Sequence, residues 1–422
     1  MNTNRAKKNF LLLFWGKLVS QLGDGIFAIA MPWFILSITD SAIAMSTYLV
    51  IGNLSCGLGL ILFGKKIDVW KKEKVMYITD FIRGIYLLLL YAIASMEFGN
   101  KLAFIYCGAI LLNICAAAFN PASMSIIPMI IKKDDLVKGN SILGVLDNTI
   151  SILGLTVGVA VYDFLGIKLV FLIAGISYIC SAISEMFIKP EYVNCSENDS
   201  REQQSGIIEG LKYLKRHKNT LFIIVFALTW NYIYISLYAI YIPYIFNVIF
   251  AENIGSIGLI EMALGIGLII GASLASRLDI RGNIYKNLTK VVIVQLPLFA
   301  GFTIAIFINK AINYETFLLT AFTILLFILG ITVAIVNVNI SVILQSETSA
   351  NFLGRVNAIK SFGSLITMAL GLLIGGIIID HIPYEYAFSI NSILFALLTI
   401  FMVKKFYHYS IDKKIVTDEV CD

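Results

Sequence analysis

The sequence predicts an all-α integral membrane protein in which twelve transmembrane helices form two pseudo-symmetric six-helix bundles. Composition is the first reason: of 422 residues, 59% are hydrophobic and only 14% charged, with a mean hydropathy of +0.86, well past what soluble domains carry. Segmentation is the second, because the chain breaks into apolar runs of about the 20 residues that cross a bilayer core of roughly 30 Å. The third is charge placement, since basic residues collect in alternate connections, as expected when those connections face the cytoplasm.

The runs place helices at 10–38, 42–63, 75–95, 102–122, 139–162, 166–188, 219–246, 254–277, 289–308, 315–340, 356–379 and 386–404. Arg5, Lys7 and Lys8 precede the first run, and its length to Ile38 exceeds a cleaved signal core, so it is read as a retained span. Between the second and third runs, Gly64 to Lys74 reads as a basic loop with five lysines against Asp68 and Glu73. That loop fixes the inside. Of the 32 Lys and Arg residues, Lys101, Lys168 and Lys310 then fall at the outside, Lys17, Arg83 and Lys360 within spans, and the others in or at the edge of the connections assigned inside. Both termini are expected in the cytoplasm.

The expected domains are an N-terminal bundle over 1–188, a cytoplasmic linker with an amphipathic helix over 189–218, a C-terminal bundle over 219–405 and a cytoplasmic tail over 406–422. Leu136-Val137-Lys138-Gly139-Asn140-Ser141-Ile142 aligns with Leu353-Gly354-Arg355-Val356-Asn357-Ala358-Ile359, and Asp68 has a rough counterpart in Asp279 at a similar offset. A parallel repeat of six helices follows.

Ionisable side chains inside spans face a cavity or a partner, because leaving them in lipid costs at least a few kcal/mol. Lys17, Gln21 and Asp24 are spaced to share one helix face, with Asp24 roughly 20 Å in from Phe10 at about 1.5 Å per residue. Two roles fit Asp24: a carboxylate that takes and releases a proton, or a structural acid held by another helix. Lys17 lies nearer the surface, where a long side chain can snorkel. Glu261 is the second intramembrane acid of interest, while Asp147 and Glu185 read as members of an inner-side charge network. Asp80 and Arg83, one turn apart, are placed to pair. In the seventh span, Asn231 accompanies Tyr234, Tyr238 and Tyr241 on one face, a wall suited to a cationic or amphipathic ligand or to an interfacial aromatic belt. Gln295 in the ninth span either lines a cavity or glues helices.

Enzyme and cofactor chemistry finds no support. Gly59 to Lys65 mimics a phosphate loop, but Lys66 stands where Ser or Thr is required. The three histidines lack zinc spacing and the six cysteines form no CxxC pair. No cofactor, metal or nucleic-acid partner is expected, and no catalytic residue.

Gly64-x-x-x-Asp68, the 6+6 division and the cytosolic middle loop together resemble the major facilitator superfamily. Ser20-Gln21-Leu22-Gly23-Asp24 with Pro32-Trp33, Asp80-x-x-Arg83, Phe119-Asn120-Pro121-Ala122 running to Ile127-Pro128, and Leu344-Gln345 leading to Gly354-Arg355-Val356 are similar to its branch of macrolide efflux and siderophore exporters. Val69 departs from the arginine that often follows the loop Asp, and Gly154-Leu155-Thr156-Val157-Gly158-Val159 departs from the glycine-proline pattern of drug antiporters.

The resemblance implies secondary active export of a small amphipathic, macrolide-like compound from a bacterial cytoplasm by a monomer in the inner membrane, in exchange for protons. It also implies a ligand site between the bundles. Asp24 and Glu261 become the proton-coupling candidates. Lys17, Gln21, Asn231, Tyr234 and Tyr238 become cavity candidates, and Gly64, Asp68, Asp80, Arg83 and Arg355 an inner gate. The alternatives are a proton-coupled importer or exporter of one metabolite or siderophore and, from another class, a membrane receptor that kept the fold without transporting.

Overall fold

A computed structural model describes residues 3–95, 101–131, 136–190, 206–250, 254–277, 284–312 and 314–418. The described residues are almost entirely helical: α1 Thr3–Thr39, α2 Ala42–Val69, α3 Lys72–Ser95, α4 Lys101–Ile130, α5 Leu136–Met186, α6 Gly206–Arg216, α7 Lys218–Ser236, α8 Ile254–Arg277, α9 Ile284–Ile312, α10 Glu315–Glu347, α11 Ala350–His381 and α12 Tyr384–Asp418. The structure thus bears out an all-α membrane architecture. α5 holds the fifth and sixth predicted spans, broken at Gly166, whose φ of 73° is a backbone state that favours glycine.

Several expected boundaries move. The basic loop is mostly helix: α2 runs on to Val69, and the break is only Trp70 and Lys71. α4 continues past 122 through Pro121 and Pro128 to Ile130. A membrane helix tolerates proline when neighbours re-satisfy or cover the freed groups, and here Ala122, Ile126 and Ile130 form a fully buried stripe against Leu13, Met76 and Leu143. The first turns of α1, ahead of the expected start at Phe10, are tied down where Asn9 Nδ2 and Arg5 donate to the Lys189 carbonyl, at 2.8 and 3.3 Å. Where α1 gives way to α2, Asp40 has positive φ and Ser41 Oγ accepts from the Ala44 N–H at 3.3 Å, capping α2.

The chain divides into two compact units, Met1–Arg201 with Ala251–Gly258, and Glu202–Phe250 with Leu259–Asp422. In the first, α1 and α3 both pack on α5, and α2 packs on α4. α1 meets α5 at Gly25 and Gly154: a Cβ on Gly25 would lie 2.7 Å from the Gly154 Cα, so any side chain would push the helices apart. This crossing sits one residue from Asp24. In the second unit, α9 packs on α10 and α12, and α11 packs on α7 and on the short helix α6. The amphipathic α6 is clamped by Glu209 to Arg355 at 2.7 Å, and by the Tyr213 ring, which lies between His217 and Phe352 at 3.9 and 4.5 Å.

After Ser236, α7 changes register. Leu237–Tyr241 and Ile245–Ile249 are π-helical, separated by the turn Ile242–Tyr244. Pro243 lacks the N–H that would continue the α ladder, and Ser236 Oγ donates both back to the Tyr232 carbonyl and across to the Gly371 carbonyl, at 3.0 and 2.8 Å. Wide turns of this kind recur at functional sites.

Candidate functional site

In the first unit the site is built by a stripe on α5. Tyr178, Ser181 and Glu185 are three and four residues apart, so they share one face, and the packing of α1 and α3 on that helix brings their polar residues to it. Tyr178 donates its hydroxyl to Asp24 Oδ1 of α1. Arg83 Nη1 of α3 lies 3.9 Å from Asp24 Oδ2 and 3.7 Å from Asp80 Oδ1. The guanidinium is sandwiched by aromatic faces, 5.2 Å from the Tyr178 ring centre and 5.4 Å from that of Phe119. Ser181 Oγ donates to Glu185 Oε1 at 3.5 Å.

Burial within this cluster is uneven. Asp80 and Glu185 are fully buried and Arg83 is 3% exposed, whereas the Asp24 side chain is 52% exposed. Among the described residues, no group lies within hydrogen-bonding geometry of either Asp80 oxygen, of Glu185 Oε2 or of Arg83 Nε. With no proton bound, three carboxylates face one guanidinium. Of the three acids, Asp24 is the one whose side chain is exposed.

The second unit holds its carboxylate differently. Trp230, Tyr234 and Tyr238, one turn apart on α7 and its continuation, stack with centroids 5.5 and 5.6 Å apart and planes within 3° and 11°. Tyr238 at the end of the stack donates to Glu261 Oε2 of α8. Trp230 at the other end donates to Gln295 Oε1 at 3.0 Å, and Gln295 Nε2 donates to Thr332 Oγ1 at 3.0 Å. Gln295 glues α7, α9 and α10. Glu261 has no ion pair among the described residues.

The structure thus gathers some of the expected residues and separates others. Lys17 and Gln21 are partly buried on α1 below Asp24. Asp80 and Arg83, expected at an inner gate, are grouped with Asp24. Arg355 pairs with Glu209 of α6. Gly64 falls within α2, the side chains of Asp68 and Asp147 are outside the described residues, and Asp279 lies outside them altogether. Asn231 donates to the Ser364 carbonyl at 3.5 Å. Tyr241 does not share the face of Tyr234 and Tyr238: the π-helical turn rotates it onto Phe388, 5.4 Å away. Tyr178 and Ser181 escaped the sequence reading, because a lone Tyr or Ser in an apolar run carries no signal until its neighbours on other helices are known. Among the described residues, no group of three His, Cys, Asp or Glu side chains is placed to hold a metal ion.

Comparison with known proteins agrees with this architecture. The Major Facilitator Superfamily family model matches residues 13–318. Macrolide efflux protein A of Streptococcus pyogenes is 20% identical over 403 residues, covering 94% of this chain and 96% of that protein. Multidrug efflux pump Tap of Mycolicibacterium fortuitum is 23% identical over 279 residues, covering 64% and 67%. Among solved structures, a bacterial homologue of the iron transporter ferroportin in its inward-facing state aligns with a TM-score of 0.73 over 96% of this chain and 99% of that one, at 14% identity, a likeness of fold.

Proposed function

Since the chain belongs to the Major Facilitator Superfamily and is therefore a multi-pass membrane transporter of small molecules and not an enzyme, we propose that it exports a small amphipathic compound by exchange with protons. The observation that carries this reading is Asp24, half exposed, held by Tyr178 and facing an arginine that also faces buried Asp80. A proton on Asp24 removes its pull on Arg83 and leaves that guanidinium to Asp80. Loss of the proton restores the competition. Protonation is thereby converted into a shift of attraction between α1 and α3 within the first unit, a differential interaction of the kind by which a bound proton can bias a conformational equilibrium.

The substrate contacts we assign to the second unit. The partly buried Tyr238 at the end of the stack, beside the Glu261 carboxylate, suits a cation carried on an apolar body, through cation–π attraction and charge, with Tyr234 stacked behind it. Efflux of macrolides and other drugs by the relatives above supports export of this class of compound. The test is susceptibility of a drug-hypersensitive bacterium expressing wild type or Asp24→Asn at matched membrane levels, against macrolides, cationic dyes and siderophores. Resistance that Asp24→Asn abolishes is the expected result. Resistance that persists removes Asp24 from coupling, and no resistance to any compound overturns drug export in favour of a dedicated metabolite.

A further inference from the structure

Within the first unit, a cleft of about 720 Å³ follows α3 between α2 and α4. Its flanks are apolar: Phe63 from α2, Ile78 and Ile82 from α3, Leu111 and Ile114 from α4. Thr79 lies in the wall too, but its hydroxyl donates to the Val75 and Met76 carbonyls of its own helix, both at 2.8 Å, so it leaves the wall without a free donor. From Lys71 to Ile82 the cleft runs roughly 16 Å along the helix, at about 1.5 Å per residue.

One end is of different character. Trp70, Lys71 and Lys74 stand at the break between α2 and α3, all exposed, with the Trp70 ring 6.0 Å from that of Phe63. A span end is the level of the headgroups, where tryptophan is enriched and lysines meet phosphates. Their neighbour Lys72 is 4% exposed and donates to the Trp70 carbonyl at 3.0 Å, whereas Lys71 and Lys74 form no ion pair among the described residues. The second unit supplies a contrast. Its groove of about 360 Å³ between α7 and α12, walled by Phe222, Phe226, Leu394, Leu397 and Phe401, has no basic residue in its lining.

We propose that the α2–α3–α4 cleft binds one anionic glycerophospholipid, its acyl chain between Ile78, Ile82 and Ile114 and its phosphate held by Lys71 and Lys74. An apolar trough alone takes any acyl chain. Lys71 and Lys74, which form no ion pair among the described residues, select the negative headgroup at its mouth, which the basic-free lining of the α7–α12 groove cannot do.

Native mass spectrometry of the full-length protein, offered equal amounts of phosphatidylglycerol and phosphatidylcholine with identical chains, tests this. Wild type should retain phosphatidylglycerol over phosphatidylcholine by roughly tenfold. Lys71→Gln with Lys74→Gln should bring the ratio near one. Lys212→Gln with Lys215→Gln, the same charge change on exposed α6, should leave it intact. Ile78→Trp, which fills the cleft, should lower retention of phosphatidylglycerol. The lysine pair is exposed, so its replacement tests the site even if Ile78→Trp fails to fold. Equal retention by wild type, a preference that survives in the Lys71/Lys74 variant, or an equal loss in the Lys212/Lys215 variant would each overturn the proposal. So would displacement of the lipid by glycerol phosphate alone, which would make the site one for soluble phosphates, or by a cationic amphipathic drug at the same lysines.

Discussion

Asp24 and Glu261 are each held by a tyrosine hydroxyl from a neighbouring helix, yet their surroundings differ in kind. Asp24 belongs to a cluster of three acids around one guanidinium, assembled from α1, α3 and α5, in which two acids are wholly buried. Glu261 closes a row of stacked rings whose far end is tied by a neutral amide and a hydroxyl. An exposed acid that shares its cation with a buried one can change its charge while the cluster stays together. A carboxylate with no ion pair among the described residues, beside the last ring of an aromatic stack, can take a cation from outside. On our proposal, proton exchange belongs to the first unit and recognition of a cationic amphipath to the second.

The contrast breaks hardest at Arg83. Arg83→Ala strands buried acids without their cation, which costs about 3–5 kcal/mol when one partner of a buried pair is removed. Little monodisperse protein should then be recovered by size-exclusion chromatography, and recovery equal to wild type would show that the cluster is not organised around this guanidinium. In the second unit, Tyr238→Ala should weaken binding of a cationic dye by roughly tenfold, within the ~0.5–2 kcal/mol range of cation–π contacts, while an uncharged analogue of the dye loses less. Fluorescence titration of the purified protein reads both. Trp230→Phe keeps the stack and removes only the donor to Gln295, so a loss of about 1 kcal/mol is expected as a drop of a few degrees in melting temperature. Smallest of all is Glu209→Gln, which frees the half-exposed clamp on Arg355 at a cost of about 0.2–1 kcal/mol and should leave transport within about twofold of wild type.

Much of this architecture is legible in the sequence, and the residues say why. Apolar run length alone places the spans, because a bilayer imposes a minimum of about 20 residues on any crossing helix. Asp24 stands out for the complementary reason, since a charge at that depth needs a cause. What cannot be read is which helices meet. Asp80 and Arg83 look like neighbours of the basic connection when counted along α3, and only the packing of α1 and α3 on α5 shows that they face Asp24. Glu185 looks like an inner-end charge until its stripe with Tyr178 and Ser181 is seen. Tyr241 fails differently: a regular helix keeps it with Tyr238, and the π-helical turn beside Pro243 does not. The departure at Gly154-Leu155-Thr156-Val157-Gly158 loses the proline of the antiporter pattern but keeps the glycine that meets Gly25.

Everything in the functional account turns on protons being exchanged at Asp24. Inverted membrane vesicles carrying an imposed proton gradient, monitored by a pH-sensitive dye while a transported compound is added, report that exchange directly. We predict that wild type partly collapses the gradient on addition of the compound. Asp24→Asn should not, although it binds the compound with an affinity within about threefold of wild type. A gradient that still collapses with Asp24→Asn and is preserved instead by Glu261→Gln would contradict the account and move proton exchange to the second unit.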